Sequence, residues 1–205
     1  MEARLFPEGT IPAWTTYEWY EGRESAPHLE QEGHRDRLLA TRDVIVELED
    51  LWWPEDEIQE PFSVVDLGAG DGGLLSLLKA SLVDSWGYDL QQTNIRVAHE
   101  YRNVDVRYVD VVNCQPTAIK WAPVAVATEM LEHLIDPHGF VNKISEYSDY
   151  IVASSPWHET ADNHYEFHTF CWDEEGYADL LRNNGFPEIQ QHFRVSGAQI
   201  IVGAK

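Results

Sequence analysis

Acidic residues end four successive apolar stretches in the middle of the chain. Asp66, Asp89, Asp110 and Glu129 each close a short stretch that is rich in valine or aromatic side chains. Such stretches are typical of buried strands, and the carboxyl ends of parallel strands meet where wound α/β folds bind ligands. One acid alone would fit a solvent-facing strand end, whereas four in order predict a shared binding crevice.

The first acid opens a glycine-rich turn, Asp66-Leu67-Gly68-Ala69-Gly70-Asp71-Gly72, which a leucine-rich segment of helical periodicity follows. Glycines let the backbone approach a bound molecule, and a helix start presents unpaired N–H groups there. A pyrophosphate cofactor usually has a G-x-G-x-x-G turn, whereas the carboxylates of Asp66 and Asp71 favour a cationic ligand. S-adenosylmethionine, with an ammonium, a sulfonium and no phosphate, meets that requirement. A nicotinamide-dependent oxidoreductase fits the fold but not this turn.

With these residues, the chain resembles the class I S-adenosylmethionine-dependent methyltransferases over residues 60 to 205. The resemblance implies that Gly68 and Gly70 lie against the methionine part of the cofactor. It also implies that Asp89 binds the ribose hydroxyls and that Asp110 lies near the adenine amine. The full set of expected cofactor-binding residues is Asp66, Gly68, Gly70, Asp71, Asp89, Leu90, Asp110, Val111 and Glu129.

A second group of chemically capable residues follows the fourth strand, in Glu129-Met130-Leu131-Glu132-His133. Together with His168, these residues could supply two carboxylates and two imidazoles to a divalent metal such as Mg²⁺. A metal there would lower the pKa of an acceptor hydroxyl and orient it for methyl attack. In the structural alternative, Glu132 and His133 only cap and orient a helix, and His168 lines a pocket or the core edge.

Histidines also offer a general base, because an unperturbed histidine titrates near neutral pH. His158, His164 and His168 all follow the fifth strand, where the acceptor-binding loops of the resembled family lie. The candidates for catalysis are His133, His164 and His168.

Two kinds of methyltransferase share the Glu129-x-x-Glu132-His133 segment. The small-RNA 3′-terminal 2′-O-methyltransferases resemble this chain both there and at His168, in its H-x-F-x-W context. Small-molecule O-methyltransferases carry similar segments. The net charge of −22 and the lack of a basic patch argue against RNA, because an acidic surface repels phosphates. The leading expectation is therefore O-methylation of a small molecule, with RNA methylation or non-catalytic cofactor binding as alternatives.

The elements that must position these residues alternate along the chain. Strands are predicted at Phe62–Leu67, Ser85–Leu90, Val104–Val109, Val124–Glu129, Tyr150–Ser154, Ile189–Val195 and Ala198–Gly203. Helices are predicted from His34 to Trp53, ended by Pro54, and at Leu74–Ser81, Thr93–Tyr101, Gly139–Glu146 and Asp173–Asn184. This order predicts a Rossmann-like α/β fold with a mostly parallel seven-stranded sheet and a C-terminal antiparallel hairpin.

Length and composition fit one domain of 205 residues, in which residues 1–33 form an irregular aromatic arm. No apolar run is long enough for a transmembrane helix, and the first residues do not read as a secretory signal. Cys114 and Cys171 lie far apart, which favours a reducing compartment and a cytoplasmic location. We expect a monomer or homodimer that acts away from membranes.

Overall fold

The computed structural model describes residues 1–21, 28–52 and 61–205. Within these ranges the strands are β1 (Glu2–Arg4), β2 (Val64–Leu67), β3 (Ser85–Asp89), β4 (Val106–Tyr108), β5 (Val124–Thr128), β6 (Tyr150–Pro156), β7 (Phe170–Trp172), β8 (Glu188–Val195) and β9 (Ala198–Ala204). The α-helices are α1 (Tyr17–Glu21), α2 (Glu32–Trp52), α3 (Gly73–Ala80), α4 (Gln92–Val97), α5 (Pro137–Ser145) and α6 (Glu174–Arg182).

Seven strands form one sheet in the order β4-β3-β2-β5-β6-β9-β8. The first five pair in parallel, whereas β9 runs antiparallel to both β6 and β8. The predicted fold class is thereby confirmed, including the C-terminal hairpin. Its two-residue turn places Ser196 and Gly197 at φ 43° and 86°, the left-handed conformations that tight hairpins favour.

Both faces of the sheet are covered, which explains why its central strands are apolar without alternation. Val64 and Val124 pack with residues of α2 and α3 in one buried cluster. Val65 and Ala125, their neighbours along the same strands, pack with residues of α5 and α6 in another. The carboxyl ends of the central strands are therefore supported by helices on both faces of the sheet.

Two local features differ from the predictions. Residues 1–33 are not wholly irregular, because β1 pairs antiparallel with β7, an additional strand near the end of the loop after β6. Three-residue strands are too short to leave a periodic signal. The helix predicted at Thr93–Tyr101 is α4 followed by a π-helical turn, Ala98–Arg102. Trp53 and Pro54, where the long helix was predicted to end, lie outside the described residues.

Candidate active site

The glycine turn between β2 and α3 has backbone conformations that glycine adopts readily. Gly68 and Gly70 have φ values of 83° and 55°, in the region that favours glycine. A Cβ atom on Gly70 would lie 2.9 Å from the His28 ring, so a side chain would not fit without movement. The Gly70 N–H donates to Oδ2 of Asp89 over 2.8 Å, which ties the turn to the end of β3.

A buried carboxylate, Asp66, and a half-buried one, Asp89, lie at the sheet edge beside the turn. Burial, and then the charge of Asp89, raise the pKa of Asp66 to about 7. Oδ1 of Asp66 has no hydrogen-bond partner within the described part of the chain. Burial also raises the pKa of Asp89, although backbone N–H groups of Gln91 and Gly70 oppose the shift. A cationic group placed between these acids would offset the cost of their burial.

Asp71, a predicted cofactor-binding residue, contacts groups of the protein itself. Its carboxylate contacts Nδ1 of His28 at 3.1 Å, the N–H of Gly73 at 3.2 Å and the guanidinium of Arg102. Burial raises its pKa, but the hydrogen bonds from His28 and Arg102 outweigh burial and hold it below the usual range. Asp71 is not among the described residues that line the cavity, so its position supports bracing of the turn.

A cavity of about 880 Å³ opens at the carboxyl ends of β2, β3 and β5. The predicted site residues that line it are Asp66, Gly68, Gly70, Asp89, Leu90, Asp110, Val111, Glu129, His133 and His168. The carboxylate of Asp110 also accepts hydrogen bonds from Val112, Asn113 and the Asn113 side chain, so it shapes its own loop. The predicted shared crevice thus exists, and four acids from four strand ends border it.

Three residues of α2 that the sequence analysis did not predict, His34, Arg37 and Leu38, line the cavity. Tyr17 and Tyr20 of the aromatic arm, residues 1–33, line it as well. A signal existed for the helix, because residues at i, i+3 and i+4 share one face. Burial lowers the pKa of His34 to about 4, and the positive charge of Arg37 contributes to the same shift.

Glu129 adopts a backbone conformation that only glycine adopts easily. Its φ is 51°, directly after the last residue of β5. Its carboxylate lies 3.2 Å from Nη1 of Arg37 and accepts a 3.0 Å hydrogen bond from the Ser154 hydroxyl. Left-handed non-glycine residues cluster at functional sites, where the surrounding structure enforces the conformation.

Glu132, His133 and His168 form the one group in the described residues whose geometry suits a metal ion. One ligand atom from each lies within 4.8 Å of the others. Glu132 is buried, and neither of its carboxylate oxygens has a hydrogen-bond partner within the described residues. Burial and the charge of Glu129 raise its pKa well above the usual value. A buried carboxylate in this state is costly unless a cation or a proton compensates it.

Both histidines of this group are held through Nδ1. In His133 this atom donates to the carbonyl of Phe167 over 3.0 Å, and in His168 it lies 2.6 Å from Oε2 of Glu159. Because the carbonyl and carboxylate can only accept, Nδ1 carries the hydrogen and the lone pair of a neutral ring lies on Nε2. This tautomer suits either a metal ligand or a general base.

Two predicted roles do not fit this geometry. Glu129 lies outside the group of three, since its carboxylate is engaged with Arg37 and Ser154. Among the described residues, the cavity wall does not include His164, whose Nδ1 contacts the Thr160 carbonyl at 3.2 Å. A spacing of residues in sequence could not reveal either outcome, because Arg37 reaches Glu129 from α2 and the position of His164 depends on how the loop after β6 folds.

An acid-lined glycine turn on a seven-stranded wound sheet defines a class I S-adenosylmethionine-dependent methyltransferase. The chain belongs to a methyltransferase family: a family profile described as "Methyltransferase domain" matches residues 33–197. A search of curated proteins gave no significant match.

Solved structures share the fold at low sequence identity. The magnesium protoporphyrin IX methyltransferase of Synechocystis PCC 6803 was solved with bound S-adenosylhomocysteine (SAH). It is 13% identical, with 92% of each chain covered and a TM-score of 0.63. The N-terminal domain of EvdMO1, solved with SAH and D-fucose, is 19% identical, with 80% of this chain and 82% of that one covered and a TM-score of 0.57. The [4+2]-cyclase SpnF is 16% identical, with 81% and 80% covered and a TM-score of 0.63. No described helix is long and apolar enough to cross a membrane.

Proposed function

We propose that this methyltransferase transfers the methyl group of S-adenosylmethionine to an oxygen atom of a small molecule, assisted by a divalent cation. The observation that carries the metal site is Glu132, a buried carboxylate with both oxygens unpartnered in the described structure, beside two histidines. One carboxylate and two imidazoles suit a divalent cation that accepts nitrogen as well as oxygen ligands, and Mn²⁺ does so more readily than Mg²⁺, which prefers oxygen ligands. The metal would lower the pKa of the acceptor hydroxyl.

The residues around the turn fit the cofactor. Gly68 and Gly70 line the cavity, Asp66 would offer a buried carboxylate oxygen to its ammonium, and Asp89, at the same cavity, would accept hydrogen bonds from the ribose hydroxyls. When bound, S-adenosylmethionine supplies an electrophilic methyl group on its sulfonium. The chain itself orients the two reactants and excludes water, which is most of what an in-line displacement requires.

The second candidate mechanism needs no metal. Nε2 of His168 or His133 would then take the hydroxyl proton directly, since the same tautomer provides a base in hydrogen-bonding reach of the cavity. A cation on Nε2 would use the same lone pair, so the two mechanisms exclude each other. Binding of Mn²⁺ separates them.

The cavity favours a small acceptor over RNA. Arg37 is the one arginine or lysine among its described lining residues, and Glu129 pairs with it. Tyr17, Tyr20 and Tyr165 provide aromatic surface at the same cavity, which suits a flat or apolar acceptor. The SpnF similarity is a reason to test activity directly, because one fold can host different reactions.

Thermal unfolding with and without SAH tests the cofactor site first, since a ligand that binds the folded state raises the midpoint. No shift at millimolar SAH would contradict the cofactor assignment. A further rise with Mn²⁺ that disappears in Glu132→Ala and His168→Ala would support the metal site, whereas equal responses in parent and variants would overturn it. A methyl-transfer assay over hydroxylated small molecules and short RNAs then identifies the acceptor and excludes a purely binding role.

A further inference from the structure

We propose that Glu159 is a positioning residue of the active site: it fixes the tautomer and direction of His168 so that Nε2 faces Glu132 and His133. The effect of Glu159 on metal binding rests on the function proposed above, whereas its effect on the His168 tautomer does not. Glu159 lies in the acceptor loop, residues 157–169, nine positions before His168, and nothing in its sequence spacing marks it.

The contact is close and shielded from water. Nδ1 of His168 lies 2.6 Å from Oε2 of Glu159, and the two side chains are 8% and 9% exposed. A single ring orientation is thereby favoured, because rotating the His168 ring would leave a buried carboxylate without its donor. Ligating histidines in metal sites commonly donate their second N–H to a carboxylate in this way.

Both carboxylate oxygens of Glu159 are engaged. Oε2 lies 2.6 Å from Nδ1 of His168, and Oε1 accepts the Tyr165 N–H over 3.0 Å. A carboxylate held in this way accepts the His168 hydrogen. On the other side of the cluster, the Phe167 carbonyl does the same for His133. One loop thus orients both histidines.

A purely structural role is the alternative, because Oε1 of Glu159 accepts a 3.0 Å hydrogen bond from the Tyr165 N–H and could simply close the loop. The variant Glu159→Gln separates the two roles. It keeps the size and an oxygen acceptor but removes the negative charge and adds a donor. Glu159→Ala removes both contacts, and Glu166→Gln, at an exposed position of the same loop, is the matched control.

The first readout is the His168 tautomer, from long-range ¹H–¹⁵N imidazole spectra of the metal-free protein. We expect the Nδ1–H form in the parent and in Glu166→Gln, and a mixture with the Nε2–H form in Glu159→Gln and Glu159→Ala. A parent-like spectrum in both Glu159 variants would overturn the proposal, whether or not the protein binds a metal.

The second readout is Mn²⁺ affinity by calorimetry, with SAH affinity as the check that each variant is folded. We expect about 10- to 100-fold weaker Mn²⁺ binding in the Glu159 variants and none of this loss in Glu166→Gln. If the parent binds Mn²⁺ and the variants bind it equally well, Glu159 does not position a ligand. If the parent binds no Mn²⁺ while the tautomer still changes, the metal-assisted function fails and the positioning of His168 stands.

Discussion

Nη1 of Arg37 lies 3.2 Å from Oε2 of Glu129, which joins the first half of α2 to the end of β5 across the cavity. The Arg37 side chain is 8% exposed and that of Glu129 22%. This ion pair engages the side chain of Glu129, whose backbone is left-handed, and places a cationic group at the cavity. The pair thus connects α2, which lines the cavity, to the end of β5, just before Glu132 and His133 of the candidate metal group.

We expect Arg37→Leu to lower the free energy of unfolding by about 2 to 3 kcal/mol, because it leaves a half-buried carboxylate without its partner. This loss of stability is smaller than that for breaking a fully buried ion pair, because the Glu129 side chain is 22% exposed to water. Arg35→Leu, an exposed position two residues away, should change stability by less than about 0.5 kcal/mol. Urea denaturation measures both, and equal effects would contradict the ion pair.

Replacing Asp89 tests the cofactor assignment. We expect Asp89→Ala to weaken SAH binding by at least about tenfold, the loss of about 1.4 kcal/mol of charged hydrogen bonding. Part of this loss comes from the turn, since Asp89 also accepts the Gly70 N–H. Calorimetry with Asp84→Ala, an exposed acid just before β3, provides the control. An unchanged SAH affinity in Asp89→Ala would remove the ribose contact from the proposal.

The protonation of Asp66 should make stability depend on pH. Its pKa in the folded protein is about 7, above the ordinary value of 3.8, so the folded state binds this proton more tightly than the unfolded state. Its contribution is therefore full below pH 3.8 and is lost as the pH rises through 7. In cofactor-free protein, we expect Asp66→Asn to become more stable relative to the parent between pH 5 and pH 8. Urea denaturation at both values measures this, and a constant difference would contradict it.

Glu132 should stabilise the metal-bound protein and destabilise the metal-free one. At pH 8 without metal, we expect Glu132→Gln to raise the free energy of unfolding by about 1 kcal/mol, because an amide is less costly to bury than an unpaired carboxylate. The same variant should lose the stabilisation by Mn²⁺. Glu146→Gln, at an exposed position, should show neither effect. A destabilised metal-free variant would mean that Glu132 makes a favourable contact in the fold.

The aromatic arm should hold the acceptor loop in place. The Trp19 and Phe167 rings lie 5.0 Å apart, and the Phe167 carbonyl accepts the His133 hydrogen. We expect Trp19→Ala to speed hydrogen exchange of the loop amides about tenfold, which corresponds to about 1.4 kcal/mol of lost local stability. Trp157→Ala, more exposed and packed on Arg194, should leave exchange around Phe167 unchanged. Equal exchange in parent and Trp19→Ala would show that the arm does not support the loop.

The sequence predicted the sheet and its acidic edge because each depends on local signals. Val64 and Val65 are consecutive apolar residues, which predicts a strand buried on both faces. Gly68 and Gly70 mark the turn, and Asp89 ends its strand. The partners of Asp71 and Glu129 were not predictable, since His28 and Arg37 reach the site from distant parts of the chain. The contact between Glu159 and His168 was not predictable either, since it depends on the fold of their loop. The same limit explains why Asp71 pointed to the cofactor in the sequence but contacts Arg102 in the structure. Spacing identifies residues that follow one another along an element, whereas ion pairs between elements depend on packing.

The position of β9 between β6 and β8 has a consequence for synthesis of the protein. A nascent chain that has reached residue 197 carries β6 with the edge that β9 later covers still unpaired, because β9 follows β8 in the chain. Strands β2 to β6 can pair during synthesis, but this sheet is completed only when residues 198–204 have been added. Until then, the exposed edge of β6 is available for pairing with other chains.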